Sequence, residues 1–421
     1  MKYDDYSQYL SPVLVKATNL VAKEAYGCYI TTVEGEKYLD FVQGIAVNAL
    51  GHSHPKIVDA VKKQVEKLTT ASFNLVNYEP TLKFSKRLAS LTPGDLKVSF
   101  FSNGGAEAID GAIKLARVAT GRQGIIAFKG SFHGRTIGAS SVTGSSAKYK
   151  KGYDPLMPGV NFTSYPYCFR CEYNKKNDDC ELECTKELDD IFNYIISPDQ
   201  VAAIIMEPIQ GEGGYIVPPK NFVLKIREIC NEYGILLIFD EIQSGYGRTG
   251  KFFASEHFDI VPDIMTLGKA IGGGFPMSAI ISTKCLMDKW PVGTHGTTFG
   301  GHPVIAAAAN AVLDAFEEEN IIKNCNEIGS YLKDKLYEFK SKYDVIGDVR
   351  GLGLMIGIEF VCKDGRANAK ARDEIIKYCI DKKLLMLGCG KSTLRFCTPL
   401  NVSKEDVDKS LEIIEMGLKT L

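Results

Sequence analysis

An α/β fold built on a largely parallel sheet, with a smaller α/β unit assembled from both chain termini, is what this sequence predicts. Short apolar runs alternate along the chain with longer runs of helical periodicity, the order expected of a parallel sheet. Those apolar runs lack the in-and-out alternation of a half-exposed strand, so they suit a sheet covered on both faces. The chain ends differ from the middle: glycine-broken strand pieces open the sequence, and charged helices with further strands close it.

Taken in order, residues 26–48 hold strand-like pieces interrupted by Gly27, Gly35 and Gly44. Residues 97–101 read as a strand, followed by a helix over 106–119 with Ile109, Ile113 and Ala116 on one face. Gly124–Phe128, Val201–Met206, 235–239 and 263–267 are further strands, each bounded by Gly, Pro, Asn or Asp. Residues 222–233 carry helical periodicity. After about residue 304 come a long Ala-rich helix, charged helices, and strands at 354–361 and 394–396. The division this suggests places 1–60 and 311–421 in the small unit and 61–310 in the large one, with a cysteine-rich insertion at 166–186.

The 421 residues carry 50 Lys+Arg against 51 Asp+Glu, and this balance argues against a nucleic-acid or membrane-surface partner. The longest clean apolar stretches, 201–206 and 235–239, fall far short of the roughly 20 residues a bilayer-crossing helix needs. The opening MKYDDYSQYL has no basic patch or apolar run of a signal peptide, so a cytoplasmic protein is expected. Of the 12 cysteines, Cys28, Cys230, Cys285, Cys325, Cys362, Cys379, Cys389 and Cys397 are scattered and are expected as buried thiols.

The chemistry-bearing residues lie at strand ends. Residues 235–241 read ILLIFDE and deliver Asp240 and Glu241 at a carboxyl end, where open α/β sheets place their ligand crevice. The next strand ends in Gly268 and Lys269, beside the triple glycine Gly272–Gly274. An acid and a lysine on successive strand ends match the division of labour in a pyridoxal phosphate site. There the lysine forms a Schiff base and the carboxylate pairs with the pyridinium nitrogen. SNGGAEAIDGAIKLAR, from Ser102 to Arg117, follows a strand and opens a helix, so the N–H groups near Gly104 and Gly105 suit a phosphate.

Other motifs fail. Residues 388–393, GCGKST, end like a Walker loop but have Leu385 where its first glycine belongs and a strand-like LRF after it. Residues 350–357, RGLGLMIG, miss the third glycine of a dinucleotide fingerprint. His52 and His54 have no further ligands at zinc spacing and read as loop residues. No Gly-x-Ser-x-Gly elbow is present.

The run IFDEIQSGYGRTGKFFASEHFDIVPDIMTLGKAIGGGFPMSA, 238–279, resembles the signature of class III pyridoxal-phosphate aminotransferases, the family of 4-aminobutyrate, acetylornithine and ornithine aminotransferases. YLDFVQGIAVNALGHSHP, SFHGRT, EPIQGEGG, GTTFGGHP and RGLGLMIGIE follow the family's order over nearly the whole chain. The resemblance implies the type I fold of pyridoxal-phosphate enzymes and a homodimer with shared active sites, or a tetramer built from such dimers. It implies that Lys269 and Asp240 are the catalytic pair, Lys269 binding pyridoxal 5'-phosphate and Asp240 holding the ring nitrogen protonated. By the same resemblance Gln243 contacts the phenolic oxygen, Phe132 stacks on the ring, and Glu207 belongs to the cofactor's surroundings. Gly105 and Ala106 hold the phosphate, with Thr298 contributed by the partner. Arg395 matches the arginine that takes an α-carboxylate, Glu212 the glutamate that pairs with it, and Arg135 a residue used for carboxylate recognition. The sequence departs from the pattern at Gly104, where Ser or Thr is usual, and at His302, where asparagine is usual.

The insertion YPYCFRCEYNKKNDDCELECTKEL brings Cys168, Cys171, Cys180 and Cys184 within 17 residues. A structural zinc or disulfides are the two expectations there, outside the catalytic motifs. A similar segment occurs, by resemblance, in archaeal and some bacterial 4-aminobutyrate aminotransferase-like sequences. The function expected is transfer of an amino group from an ω-amine or amino acid, 4-aminobutyrate- or ornithine-like, to a 2-oxo acid such as 2-oxoglutarate by a ping-pong mechanism. An amino-acid racemase or epimerase using the same lysine is the alternative. A non-catalytic cofactor-binding protein ranks below both, since Asp240 and Lys269 are intact.

Overall fold

An alternation hidden inside the apolar runs decides the architecture of the computed structural model, which describes residues 2–175 and 180–421. Ile125, Ala127, Ala203, Ile205 and Ile238 face one way and pack with Ala108, Ile109, Ala112 and Ile113 of the helix Gly105–Thr120. Their neighbours Ile126, Phe128, Ile204, Met206, Leu237 and Phe239 face the other way, against Phe222, Val223 and Ile226 of the helix Lys220–Tyr233. With a helical layer on each face, both sets of side chains leave water, and each large one contributes roughly 1.5–3 kcal/mol.

Among the described residues the strands form three sheets. The largest has seven strands, in the spatial order Val98–Ser102, Ser278–Ser282, Ile264–Leu267, Leu236–Asp240, Val201–Met206, Gly124–Phe128 and Val160–Thr163. From Ile264–Leu267 outward to Val160–Thr163 every pairing is parallel. Ser278–Ser282 is antiparallel to both of its neighbours.

A second sheet pairs Ala22–Tyr26, Tyr29–Thr32 and Lys37–Asp40 as an antiparallel meander, then adds Leu384–Leu385 parallel to Lys37–Asp40. The two ends of the chain therefore share one sheet. The third sheet is antiparallel throughout: Ile346–Leu352, Met355–Phe360, Thr393–Phe396 and Leu387–Cys389. The Ala-rich helix Pro303–Glu318 packs with Phe84 and Leu88 of Glu79–Leu91 in the core that joins these layers.

The elements read from the sequence are present, displaced at their ends by one or two residues. The strand placed at 235–239 is Leu236–Asp240, and the helix placed at 222–233 begins at Lys220. GCGKST joins the strands Leu387–Cys389 and Thr393–Phe396, so no phosphate-loop helix follows it. His52 and His54 each pair with one carboxylate, Asp40 at 2.8 Å and Glu319 at 3.2 Å. The reading of eight buried cysteines needs correction at two: Cys285 is exposed and Cys362 half-buried. Cys285 lies in the short helix Lys284–Met287, none of whose residues is buried. Among the described residues no helix is long and apolar enough to cross a membrane.

Candidate active site

The parallel strands bring their carboxyl ends to one edge. Leu236–Asp240 ends on Asp240, Val201–Met206 is followed at once by Glu207, and Ile264–Leu267 by Gly268 and Lys269. Val98–Ser102 runs in the same direction, since Ser278–Ser282 lies antiparallel to it and to Ile264–Leu267. The start of the helix Gly105–Thr120 thus reaches the same crevice.

Asp240 is buried, with Oδ1 accepting the Ile242 N–H at 3.0 Å and Oδ2 2.7 Å from His133 Nδ1. Nε2 of His133 is buried and has no hydrogen-bond partner among the described residues. Glu207 accepts the N–H groups of Phe132 at 2.9 Å and Gly211 at 2.8 Å. Burial pushes its carboxyl up to about 7, Asp240 adding to the rise and His133 opposing it.

Lys269 adopts φ 47°, the left-handed region that costs a non-glycine residue about 1–2 kcal/mol. A Cβ on Gly268 would come within 3.1 Å of Ile242 Cγ2, so the glycine lets the lysine turn inward. Part of the Lys269 side chain remains accessible, yet protein surrounds it. Burial pushes its ammonium down to about 8, although Asp240 pulls the other way. A fraction of free amine is then present near neutrality, as a nucleophile or proton acceptor requires.

At the helix start Glu107 folds back and accepts the N–H groups of Asn103 and Gly104, each at 2.8 Å. The next N–H groups, at Gly105 and Ala106, lie in the first turn, where no intrahelical carbonyl is available. A Cβ on Gly105 would meet Ile242 Cδ1 at 2.9 Å, so this close approach requires glycine. The Gln243 amide oxygen is buried without a partner among the described residues and would lie 2.8 Å from a Cβ on Gly211. These groups fit pyridoxal phosphate: an amine of lowered pKa, a buried carboxylate, free N–H groups for a phosphate, an unpaired amide, and the ring of Phe132 at the crevice.

The residues expected to recognise a carboxylate also converge. Arg395, on the strand Thr393–Phe396, is buried and donates from Nη1 to Glu212 Oε2 at 3.1 Å. Its Nε has no partner among the described residues. Burial opposes its charge, and the Glu212 carboxylate beside it favours the cation. Arg135 is exposed, its guanidinium 4.7 Å from the Tyr149 ring centroid and 6.0 Å from that of Phe132. Thr298 is not drawn inward: it lies exposed, beside Thr297, which accepts from Asn103 Nδ2 at 3.1 Å. His302 sits just before the helix Pro303–Glu318 without a side-chain capping bond.

Two residues of this site carried no assigned role in the sequence reading. His133 stands next to Phe132 in SFHGRT, but its partner Asp240 is 107 residues away. Tyr149, in the turn Ala147–Tyr149, contacts Phe132, Arg135 and Glu212, and no local pattern marks it.

The insertion packs beside the loop that bears Glu212. Cys168, Cys171, Cys180 and Cys184 line one cavity of about 370 Å³, shared with Gln210, Gly213 and Gly390. All four are free thiols, and burial pushes Cys184 up to about 12. Among the described residues no group of three or more His, Cys, Asp or Glu is arranged to hold a metal ion. Ion pairs on a buried carboxylate also hold the insertion. Tyr167 and Arg170 both donate to the fully buried Glu359, which Arg350 Nη2 approaches to 2.8 Å. Arg350 Nε in turn donates to Gly214 O at 2.9 Å.

Comparison with known proteins agrees with this geometry. The family model described as Aminotransferase class-III matches residues 11–418. An alanine/serine racemase of Pyrococcus horikoshii is 39% identical over 96% of this chain and 87% of its own length. A probable 4-aminobutyrate aminotransferase of Bacillus subtilis is 38% identical over 98% of this chain and 96% of its own. An amine transaminase from an uncultivated Pseudomonas species, solved in its PLP-bound form, superposes with a TM-score of 0.91 at 28% identity, covering 98% of each chain. The chain belongs to the class III aminotransferases, type I in fold and dependent on pyridoxal phosphate.

Proposed function

We propose that this enzyme moves an amino group from an ω-amine or amino acid, of the 4-aminobutyrate or ornithine type, to a 2-oxo acid such as 2-oxoglutarate. The observation that carries this reading is Arg395: a buried cation with an unpaired Nε, facing a Glu212 that is 31% exposed and free to leave. Such a guanidinium suits a substrate carboxylate, which it can bind through two N–H groups. Relatives named for 4-aminobutyrate, 5-aminovalerate and acetylornithine transfer support the donor class.

When bound, pyridoxal phosphate supplies the electron sink for the charge left as the substrate proton departs. Asp240 would favour the protonated form of the ring nitrogen, and the His133 contact fixes the carboxylate's orientation. Lys269 holds the cofactor and then moves a proton at the substrate carbon. Gly105 and Ala106 would bind the phosphate through N–H groups, Gln243 would support the phenolic oxygen, and Phe132 would pack on the ring. Glu207 keeps Phe132 in place through its backbone N–H.

Two copies complete the site. Thr298 would reach the partner's phosphate from an exposed segment that also carries the exposed Val292 and Phe299. The many thiols suit the reducing cytoplasm as its place of work.

The test is a panel of amines and amino acids with 2-oxoglutarate or pyruvate, read as glutamate or alanine formed. Turnover dependent on the oxo acid supports the proposal. The Pyrococcus relative's name favours racemisation as the second reading. Interconversion of alanine or serine enantiomers with no oxo acid present would put that reading first.

A further inference from the structure

We infer that Tyr149 is a positioning residue that receives the Glu212 carboxylate when a substrate carboxylate takes Arg395. The inference rests on the carboxylate-binding role proposed for Arg395. Glu212 divides its two oxygens: Oε2 accepts from Arg395 Nη1 at 3.1 Å, and Oε1 lies 3.4 Å from the Tyr149 hydroxyl. A hydroxyl donating to a carboxylate settles at about 2.5–2.7 Å, so this contact is stretched while Arg395 holds the other oxygen. Released from Arg395, the carboxylate has a donor waiting on the side it already faces.

The surroundings of Tyr149 suit an incoming anion. The Arg135 guanidinium lies 4.7 Å from its ring centroid and the Lys148 ammonium 5.0 Å. Phe132 packs edge-on at 5.5 Å and fixes the ring. The landing place is therefore cationic and built before substrate arrives. Without it, a dicarboxylate would bind at the cost of leaving Glu212 with no donor, which a half-buried carboxylate resists. The same enzyme then accepts an ω-amine without a second carboxylate, with Glu212 on Arg395, and a dicarboxylic oxo acid, with Glu212 on Tyr149.

The test uses the cofactor-loaded enzyme and two unreactive acids, glutarate as the dicarboxylate and valerate as the monocarboxylate, with binding followed by calorimetry. In Tyr149→Phe the ring and its stacking stay and only the hydroxyl is lost. Glutarate is expected to bind about two- to ten-fold more weakly, with valerate unchanged. In Glu212→Gln, adding Tyr149→Phe should produce a smaller further loss, because the charged acceptor is gone and only a neutral amide oxygen remains. In turnover, the 2-oxoglutarate KM should rise with the donor KM and kcat little changed. Unchanged glutarate affinity in Tyr149→Phe, equal weakening of both acids, or the same loss in the Glu212→Gln background would overturn the inference. Because glutarate binding needs no turnover, a failed oxo-acid assay of the wild type would count against the proposed function and leave this result readable.

Discussion

At the scale of single residues, the site depends on a few groups whose environments differ sharply from water. Lys269→Ala is expected to abolish both the visible absorbance of bound cofactor and all turnover; normal activity in that variant would remove Lys269 from the site. The lowered ammonium has a pH consequence. Below about 8 the lysine of the cofactor-free enzyme is mostly protonated and cannot attack an aldehyde; above it the free amine dominates. The rate at which cofactor-free enzyme captures pyridoxal phosphate should climb as pH rises through about 8 and then level, followed by stopped-flow absorbance. A rate still climbing steeply through pH 10 would mean an unshifted lysine. Arg395→Ala is expected to weaken 2-oxoglutarate binding by about ten-fold or more while cofactor affinity changes little; equal losses would mark a structural arginine. Asp240 and Lys269 were legible because strand ends and glycine turns are local signals, whereas Arg395 was legible only through the family resemblance. His133 was not, because its role exists only once two distant loops meet, and Tyr149 has no signal at all before its three neighbours are placed.

At the scale of elements, the strands read from the sequence lie within a residue or two of their places, because burial on both faces leaves an apolar run between turn residues; Val160–Thr163, Ser278–Ser282 and Ile346–Leu352 were not read. The insertion was legible only as a cluster of cysteines. What orders it is Glu359, 189 residues from Arg170 and 192 from Tyr167, a distance no spacing argument spans. Removing one partner of a buried ion pair costs about 3–5 kcal/mol. Glu359→Gln should therefore lower the melting temperature and open the insertion selectively. A thiol reagent should label Cys168, Cys171, Cys180 and Cys184 faster in that variant, while Cys230, Cys325 and Cys379 stay slow in their cores. Uniform labelling of all seven would mean global unfolding rather than release of the element.

For the whole molecule, the exposed Val292, Thr298 and Phe299 lie on the segment proposed to meet a second copy. Phe299→Asp is expected to shift sedimentation from two chains to one and to loosen the cofactor; a dimer that persists with unchanged cofactor affinity would place the interface elsewhere. The shared sheet of the two termini has a consequence in time rather than in space. Lys37–Asp40 finds its outer neighbour only in Leu384–Leu385. A ribosome adding about 5–20 residues per second makes that neighbour about 20–70 s later. Every strand of the large sheet, Val98–Ser102 to Ser278–Ser282, is finished well before then. During each round of synthesis the nascent chain thus carries a completed large sheet beside an unpaired strand edge and a core still short of its C-terminal side chains, and in that interval chaperones have most to protect.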